Sequence, residues 1–488
     1  MNRPATDAAY ATDIPARLDR LPWSRFHWLV VLALGAAWSI DGLEVTLKGA
    51  VSAVLQDPRT LALDSAEIGA LASFYLTGAV MGALLGGYLT DRYGRTKLLF
   101  VTLGIYLSGT FLTAFAWDFD SLAACRWLTG LGIGGEYTAI NSAIDELVPA
   151  RVRGRVALAV NGSFWIGAAL GSGATLILLD PQILPVDVGW RAGFAIGAVI
   201  GVFVLAARRY VPESPRWLAI HGYPEKAEAA MAEIEARIVR ETAAALESPG
   251  ETLVIRPQRR TGFELIVSTM LSTYRARSFL GFVLIAAQAF LYNAIFFTYA
   301  LVLTRFYEVP AARTGIYLLP FAVGNFLGPL LLGPLFDSKG RRSMIAATYA
   351  LSGLLLFATG ILFSRGYLSA ELQTLLWSVI FFFASAAASS AYLTVSEIFP
   401  LELRALAIAL FFAIGTAAGG ILAPWFFGLL IGTGSRNSVF VGYALGAGLM
   451  IIAAIVAARY AVRAERAPLE RVARPLAAEK SPRAAGDA

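Results

Sequence analysis

Apolar residues run in blocks of helix-spanning length along this chain, separated by short polar stretches that hold most of the charges. The blocks lie near 28–50, 69–90, 98–116, 121–145, 156–179 and 191–207, then near 279–304, 314–336, 343–363, 372–396, 403–431 and 438–458. About 20 apolar helical residues cross a hydrocarbon core, so each block predicts one membrane-spanning helix. Gly and Ala recur throughout, as closely packed membrane helices require, and the alternation of a β-barrel strand is missing. The pattern predicts an all-α membrane protein of twelve transmembrane helices in two six-helix bundles. A tail over 1–25 precedes a bundle over 26–207, and the long polar insertion 208–278 leads to a bundle over 279–459 and a tail over 460–488. Within the insertion, the Ala- and Glu-rich stretch Pro224–Glu247 predicts one or two short helices. They would serve as a latch between the bundles or as a solvated linker. The stretch after Arg459, rich in Arg, Pro and Ala, predicts disorder.

Composition narrows the class. Hydrophobic residues make up 57% and charged ones 15%, against roughly 25% charged in soluble domains. No cleavable leader is expected, because Arg3, Arg17, Arg20 and Arg25 precede the first apolar block. Cys125 stands alone and His27 and His221 are the only histidines, so neither a disulfide framework nor a metal centre is expected, and no cofactor motif occurs. The pI of about 9.4 does not call for nucleic acid, because Lys and Arg crowd the segments on one side of the spans. The opposite segments hold only Arg59, Arg191, Arg305, Arg313, Arg365 and Arg436. The positive-inside rule then places both termini in the cytoplasm, in the plasma (inner) membrane. Ser214 has no histidine partner in sequence, and no nucleophile motif or metal cluster points to an enzyme.

The halves repeat each other. Asp91-Arg92-Tyr93-Gly94-Arg95 returns as Asp337-Ser338-Lys339-Gly340-Arg341, and Glu146, Pro149 and Arg153 return at one constant separation as Glu397, Pro400 and Arg404. Each copy falls after the second or fourth block of its half. Duplicated bundles of this kind enclose a central site between repeats. GGYLTDRYGR at 86–95 and GPLFDSKGRR at 333–342 resemble the paired loop motif of the major facilitator superfamily. RWLTGLGIGGEY at 126–137, PESPRWL at 212–218 and DGLEV at 41–45 are similar to its sugar-porter-like, metabolite–proton symporter branch. The resemblance spans nearly all of 25–460. It implies the major facilitator fold and secondary active transport of a small polar organic solute, an organic acid or a sugar-like metabolite, by alternating access with proton symport. The expected partners are solute, protons and lipid, with the chain monomeric. Sugar porters carry a second Pro-Glu motif after the last helix, and 459–475 has none. A drug–proton antiporter is the rival transport reading, but its helix-5 proline motif is missing between Asn161 and Gly173. A non-transporting nutrient sensor would need a signalling extension.

Charges inside apolar spans are the candidate chemistry, since each costs about 2.5–3.5 kcal/mol at mid-helix and demands a partner or a wet cavity. Asp41, Glu44 and Lys48 share a face of the first helix, and Arg126 and Glu136 lie on the fourth. At about 1.5 Å per residue, Glu44 and Arg126 reach one level, with Asp41 and Glu136 nearer the middle. The expectation is that Glu44 or Asp41 binds the proton under the control of Arg126, a role the resemblance also implies for helix-1 acids and the helix-4 arginine. The alternative is a static ion network. Lys48 would attract an anion, or only neutralise Glu44 or snorkel outward. The second half offers neutral groups for a polar solute: Gln288, Tyr292 and Asn293 on helix 7, Asn325 on helix 8 and Tyr392 on helix 10, with Asn161 and Trp165 on helix 5 of the first half. These amides could equally bond neighbouring helices. At the loops, Asp91, Arg92 and Arg95 would pair with Glu146, Arg153, Glu213 and Arg216 as a bistable latch. Asp337, Arg341, Glu397 and Arg404 would form its second copy.

Overall fold

In a computed structural model the described residues are 8–478 apart from 244, 258–262, 297, 311–313, 418 and 420–422. The first bundle holds the spans Arg25–Val54, Ser65–Tyr93, Arg95–Thr113 and Phe119–Leu147, a fifth built from Arg153–Gly162 and Phe164–Leu178, and Val186–Ala207. In the second bundle the seventh span runs as Arg275–Leu291, a π-helical turn at Tyr292–Phe296, and Tyr299–Tyr307. Thr314–Ser338, Arg341–Ser364 and Ala370–Ile398 follow, then an eleventh span in the pieces Arg404–Gly415 and Ala423–Gly432, and Arg436–Tyr460. Ten of these regions are long and apolar enough to cross a membrane by themselves. The fourth span, rich in glycine and polar groups, and the divided eleventh make up the twelve-helix fold.

Local chemistry starts and ends these helices. Asp64 accepts from the Glu67 backbone N–H at 2.7 Å while the Glu67 carboxylate accepts from the Asp64 N–H at 2.8 Å, a reciprocal cap at the start of the second span. Gly94 and Gly340, at φ of +101° and +100°, make the turns between spans two and three and between spans eight and nine, in a conformation that disfavours any residue with a Cβ. Spans two and four lie backbone to backbone. A Cβ on Gly78, Gly82, Gly130 or Gly134 would strike main-chain atoms of the other helix, which is how small residues hold membrane helices together. Leu32, Leu85, Val101, Leu170, Phe203, Leu331, Leu354, Leu375 and Ile455, from nine different spans, point outward and are exposed. That much apolar surface suits lipid, not water.

Both tails and the insertion meet on one end of the bundles, here called the terminal face. Strand Tyr10–Thr12 pairs antiparallel with Leu253–Ile255, and Ala478 bridges to Ile255. The insertion holds helices Pro215–Ile220 and Pro224–Thr242, the second within the stretch expected to be helical. Arg17 and Arg20 of helix Ile14–Arg20 both reach Glu235 at 2.6 Å, tying the N-terminal segment to the insertion. The expected disorder after 459 does not describe residues 461–478. They include the short helix Leu469–Val472, and Ala477 N–H donates to Glu402 at 2.9 Å. Burial of Leu469, Val472 and Ala477 supplies an apolar anchor that the Arg- and Pro-rich composition hides. The remaining tail residues, 1–7 and 479–488, lie outside the described residues.

Candidate functional site

The charged residues of the first half come together inside the bundle. Arg126 on the fourth span forms an ion pair with Glu44 on the first, both almost fully buried. Glu136, one further turn-set along the fourth span, pairs instead with Arg208, which follows the sixth span directly and also donates to the Leu99 carbonyl. Sequence reading left Arg208 among the loop cations. It is 0% exposed, and its long side chain reaches back from the helix end into the bundle. Asp41 lies between these pairs, within Coulombic reach of Glu136, Glu44 and Arg208. It too is 0% exposed, yet neither of its carboxylate oxygens has a hydrogen-bond partner among the described residues. Lys48 makes no ion pair with Glu44; its ammonium sits 3.9 Å from the centroid of the Tyr75 ring, and the Arg126 guanidinium lies 5.4 Å from the same ring. A ring face carrying two cations holds them by its quadrupole.

Next to Asp41, aromatic rings join the halves. Trp38 on the first span stacks on Tyr137 with centroids 4.5 Å apart, and Tyr137 meets the edge of Phe412 from the eleventh span at 5.0 Å. The Trp38 indole N–H has no hydrogen-bond partner among the described residues. On the other side Trp165 approaches Tyr292 at 5.9 Å. The Tyr292 hydroxyl donates to the Asn325 side-chain oxygen at 2.6 Å, and its ring packs edge-on against Phe381 at 5.1 Å. Gln288 lies within hydrogen-bonding reach of Tyr392. Thus Trp165, Tyr292 and Asn325 form one cluster and Gln288 with Tyr392 another. Asn293 turns its amide donor onto its own helix, to Ala289 at 2.8 Å. Asn161 donates to Ala157 of its own helix at 2.8 Å and to the Asn141 side-chain oxygen of the fourth span at 3.3 Å, and its own oxygen has no hydrogen-bond partner among the described residues. The π-helical turn starts at Tyr292, and such bulges inside α-helices mark functional positions. Trp38 and Tyr137 went unnoticed in sequence because single aromatics in an apolar run carry no pattern.

At the terminal face the repeated motifs form two interlocked clamps. Arg95 holds Glu146 at 2.8 Å and Asp91 at 3.2 Å; Arg341 holds Glu397 and Asp337, both at 2.9 Å. Each aspartate then crosses to the other half. Asp91 accepts from the N–H groups of Leu406 at 3.1 Å and Ala405 at 3.4 Å, at the start of the eleventh span. Asp337 accepts from Gly154 at 3.0 Å and Arg155 at 2.9 Å, at the start of the fifth. A carboxylate on a helix N-terminus satisfies orphan donors and meets the positive end of the dipole. The two copies are not separate latches as expected: Arg153 faces Glu397 and Arg404 faces Glu146, each at 3.7 Å and each across the halves.

Two expected members have other partners. Arg92 leaves the clamp and packs on Tyr93 and Tyr88. Arg216 pairs with Asp19 at 3.1 Å and Glu470 at 3.2 Å, one residue from each tail. Glu213 does join the clamp, accepting from the Arg95 N–H at 2.8 Å, and burial pushes its carboxyl above the usual range. Glu465 does the same in the second half, accepting from the Arg341 N–H at 3.2 Å. So although the second Pro-Glu motif is missing, its acid stands in place. The signal in sequence was position alone, since Glu465 follows Glu213 at nearly the separation of the other repeated residues.

Two duplicated six-helix bundles, clamped at one face around buried ion pairs and mid-membrane polar groups, define a multi-pass membrane transporter of the major facilitator fold. The chain belongs to the family described as sugar (and other) transporter, whose model matches residues 41–474. It is 26% identical to the niacin transporter NiaP of Acinetobacter baylyi, over 84% of this chain and 89% of that one. It is 25% identical to the 4-hydroxybenzoate transporter PcaK of Pseudomonas putida, over 93% and 98%, and 27% identical to the gallate transporter of Pseudomonas putida, over 94% and 96%. The solved structure of the proton:xylose symporter XylE bound to 6-bromo-6-deoxy-D-glucose superposes with a TM-score of 0.72 at 18% identity, covering 92% of this chain and 98% of that one. The family and these relatives are transporters, not enzymes.

Proposed function

We propose that this chain takes up an aromatic monocarboxylate together with a proton, with both termini on the cytoplasmic side of the plasma membrane and the chain acting as a monomer. Asp41 carries the reading: it is a fully buried acid with both oxygens unpartnered, one helical turn from the Glu44–Arg126 pair. An unpaired carboxylate anion is very costly in an apolar interior, so in this arrangement Asp41 holds the proton. A solute anion arriving from the outer face meets Lys48 and Arg126. When its carboxylate engages Arg126, Glu44 loses its partner, and the balance of charge around Asp41 changes. Trp38 and Tyr137 offer flat faces to a ring at the level of Asp41, and Tyr292, Asn325, Gln288 and Tyr392 offer neutral hydrogen-bonding groups from the other half. The relatives named for niacin, 4-hydroxybenzoate and gallate support a ring bearing a carboxylate. The crowding of Lys and Arg at the terminal face supports the orientation.

The test is uptake into proteoliposomes of nicotinate, 4-hydroxybenzoate and xylose, with and without an inward proton gradient. At least one of the two aromatic acids should accumulate only with the gradient, xylose should not, and Asp41→Asn should abolish accumulation while leaving solute exchange. Gradient-independent uptake, or accumulation by Asp41→Asn equal to that of the unaltered chain, contradicts the reading.

A further inference from the structure

The ionisable groups of the first bundle form a file, and its last members are not among the groups assigned to the solute above. The first span enters at the terminal face with Arg25 and leaves with Val54, while the fourth enters at the outer face with Phe119 and returns to the terminal face with Leu147. At about 1.5 Å per residue, Glu44 and Arg126 therefore occupy the outer part of the bundle, Asp41 the next level inward, and Glu136 a level closer to the terminal face. Arg208 begins at the terminal-face end of the sixth span and extends inward to Glu136. The order from the outer face is Lys48, Arg126 with Glu44, Asp41, then Glu136 with Arg208. Asp41 therefore has one ion pair on each side.

These groups retain unused valences. Both Asp41 oxygens, one oxygen each of Glu44 and Glu136, and Nε of Arg208 lack hydrogen-bond partners among the described residues although buried. A purely structural ion pair is favoured by full satisfaction of its lone pairs and protons, and one left half-satisfied is a poor device for stability. Among the described residues, the charged and titratable groups facing Asp41 and Glu136 are Glu44 of the first span, Tyr75 of the second, Tyr106 of the third, Tyr137 of the fourth, and Arg208, with Lys48 and Arg126 beyond them beside Glu44. Glu136 is the one carboxylate in this set placed between Asp41 and the terminal face.

We propose that Glu136 and Arg208 form the release station of the proton path. The neutral Asp41 acid gives its proton to the Glu136 carboxylate, leaving Asp41 as the anion and Glu136 as the acid. As Glu136 accepts, Arg208 loosens from it, and Glu136 then passes the proton to water entering from the terminal face. Arg208 acts as a positioning residue that keeps Glu136 anionic until Asp41 discharges. This inference rests on the proton-symport reading above.

The experiment compares the unaltered chain with Glu136→Gln and with the double variant Glu136→Gln/Arg208→Gln, which leaves no unpaired buried charge. Each is reconstituted and assayed with 4-hydroxybenzoate and nicotinate in two modes, gradient-driven accumulation and equilibrium exchange with solute on both sides, which needs no net proton release. The expected result is accumulation reduced at least tenfold in both variants, with exchange within about twofold of the unaltered chain in the double variant and partial recovery of accumulation in Glu136→Asp. Variants that accumulate normally overturn the relay, and a double variant that loses exchange as fully as accumulation overturns it too, by showing a structural pair. An unaltered chain that exchanges but never accumulates, or moves neither acid, refutes the symport reading before any variant is compared.

Discussion

The two halves share a scaffold and differ in what they bury. Their terminal-face motifs match one for one, with Asp91, Arg95, Glu146 and Glu213 in the first half and Asp337, Arg341, Glu397 and Glu465 in the second. Deeper in the membrane the match ends. The first half holds Asp41, Glu44, Arg126, Glu136 and Arg208, while the corresponding depth of the second half holds Gln288, Tyr292, Asn325 and Tyr392. Each charged group costs a few kcal/mol at that depth, so a duplicated fold gains from keeping the cost in one half. In the mechanism proposed here, the first half handles the proton and the solute's charge. The second half orients the solute through neutral groups, and both contribute equally to the clamp.

The largest effect that tests this division is loss of one member of the outer ion pair. Arg126→Leu leaves Glu44 buried without a partner, a change that costs roughly 3–5 kcal/mol in comparable buried pairs. The protein should melt far lower in detergent and transport nothing. Glu44→Gln/Arg126→Gln should restore most of the melting temperature without restoring gradient-driven accumulation. If the double variant accumulates solute normally, the charge in the first half is packing and the comparison fails.

A smaller effect is expected in the second half. Tyr292→Phe removes one hydroxyl, and with it the bond to Asn325 at 2.6 Å, worth about 0.5–1.5 kcal/mol. KM should rise by several fold while the number of protons carried per solute stays unchanged. A changed proton count would mean that the neutral half also takes part in coupling.

The clamps give a symmetric test. Asp91→Asn and Asp337→Asn each weaken a carboxylate on a helix N-terminus of the opposite half, an interaction worth about 0.5–2 kcal/mol. Both variants should change turnover in the same direction and by less than tenfold. Widely unequal effects would show that the gates, too, have diverged between halves.

Twelve apolar blocks and a repeated motif were legible because hydropathy and loop charge are local properties of the chain. So were Glu44 with Arg126, because a charge in an apolar run must be answered by another at its level, and helix rise alone places both. Arg208 was not legible. Its backbone stands at a helix end, where an arginine ordinarily faces water, and only the length of its side chain and the approach of the sixth span to the fourth carry it to Glu136. The crossing of Arg153 to Glu397 and of Arg404 to Glu146 was hidden for a related reason. A repeat in sequence shows that two copies exist, but which copy each arginine faces depends on how the bundles dock. Order in residues 461–478 was masked by composition, since a few apolar anchors among many arginines do not register in a window average.

The remaining test concerns pH at the terminal face, where the halves differ once more. His221, at the end of helix Pro215–Ile220, stacks on Trp217 with centroids 4.2 Å apart, and the Trp217 indole N–H donates to the Asp91 carbonyl at 2.9 Å. Burial, together with the charge of Arg95 and against a hydrogen bond to the Trp217 carbonyl, lowers its pKa to about 4 from the ordinary 6.5. The folded chain therefore prefers the neutral ring. The stability this contributes is complete above pH 6.5 and is lost as pH falls toward 4, with an upper bound of about 3 kcal/mol at 1.36 kcal/mol per pKa unit. Melting in detergent at pH 7.5 and pH 5 should show the loss, and His221→Gln, which cannot take up the proton, should flatten it. Because Trp217 joins His221 to Asp91 and not to Asp337, acidification should loosen the first-half clamp before the second. Equal loosening of both would place the pH sensitivity in the shared carboxylates instead.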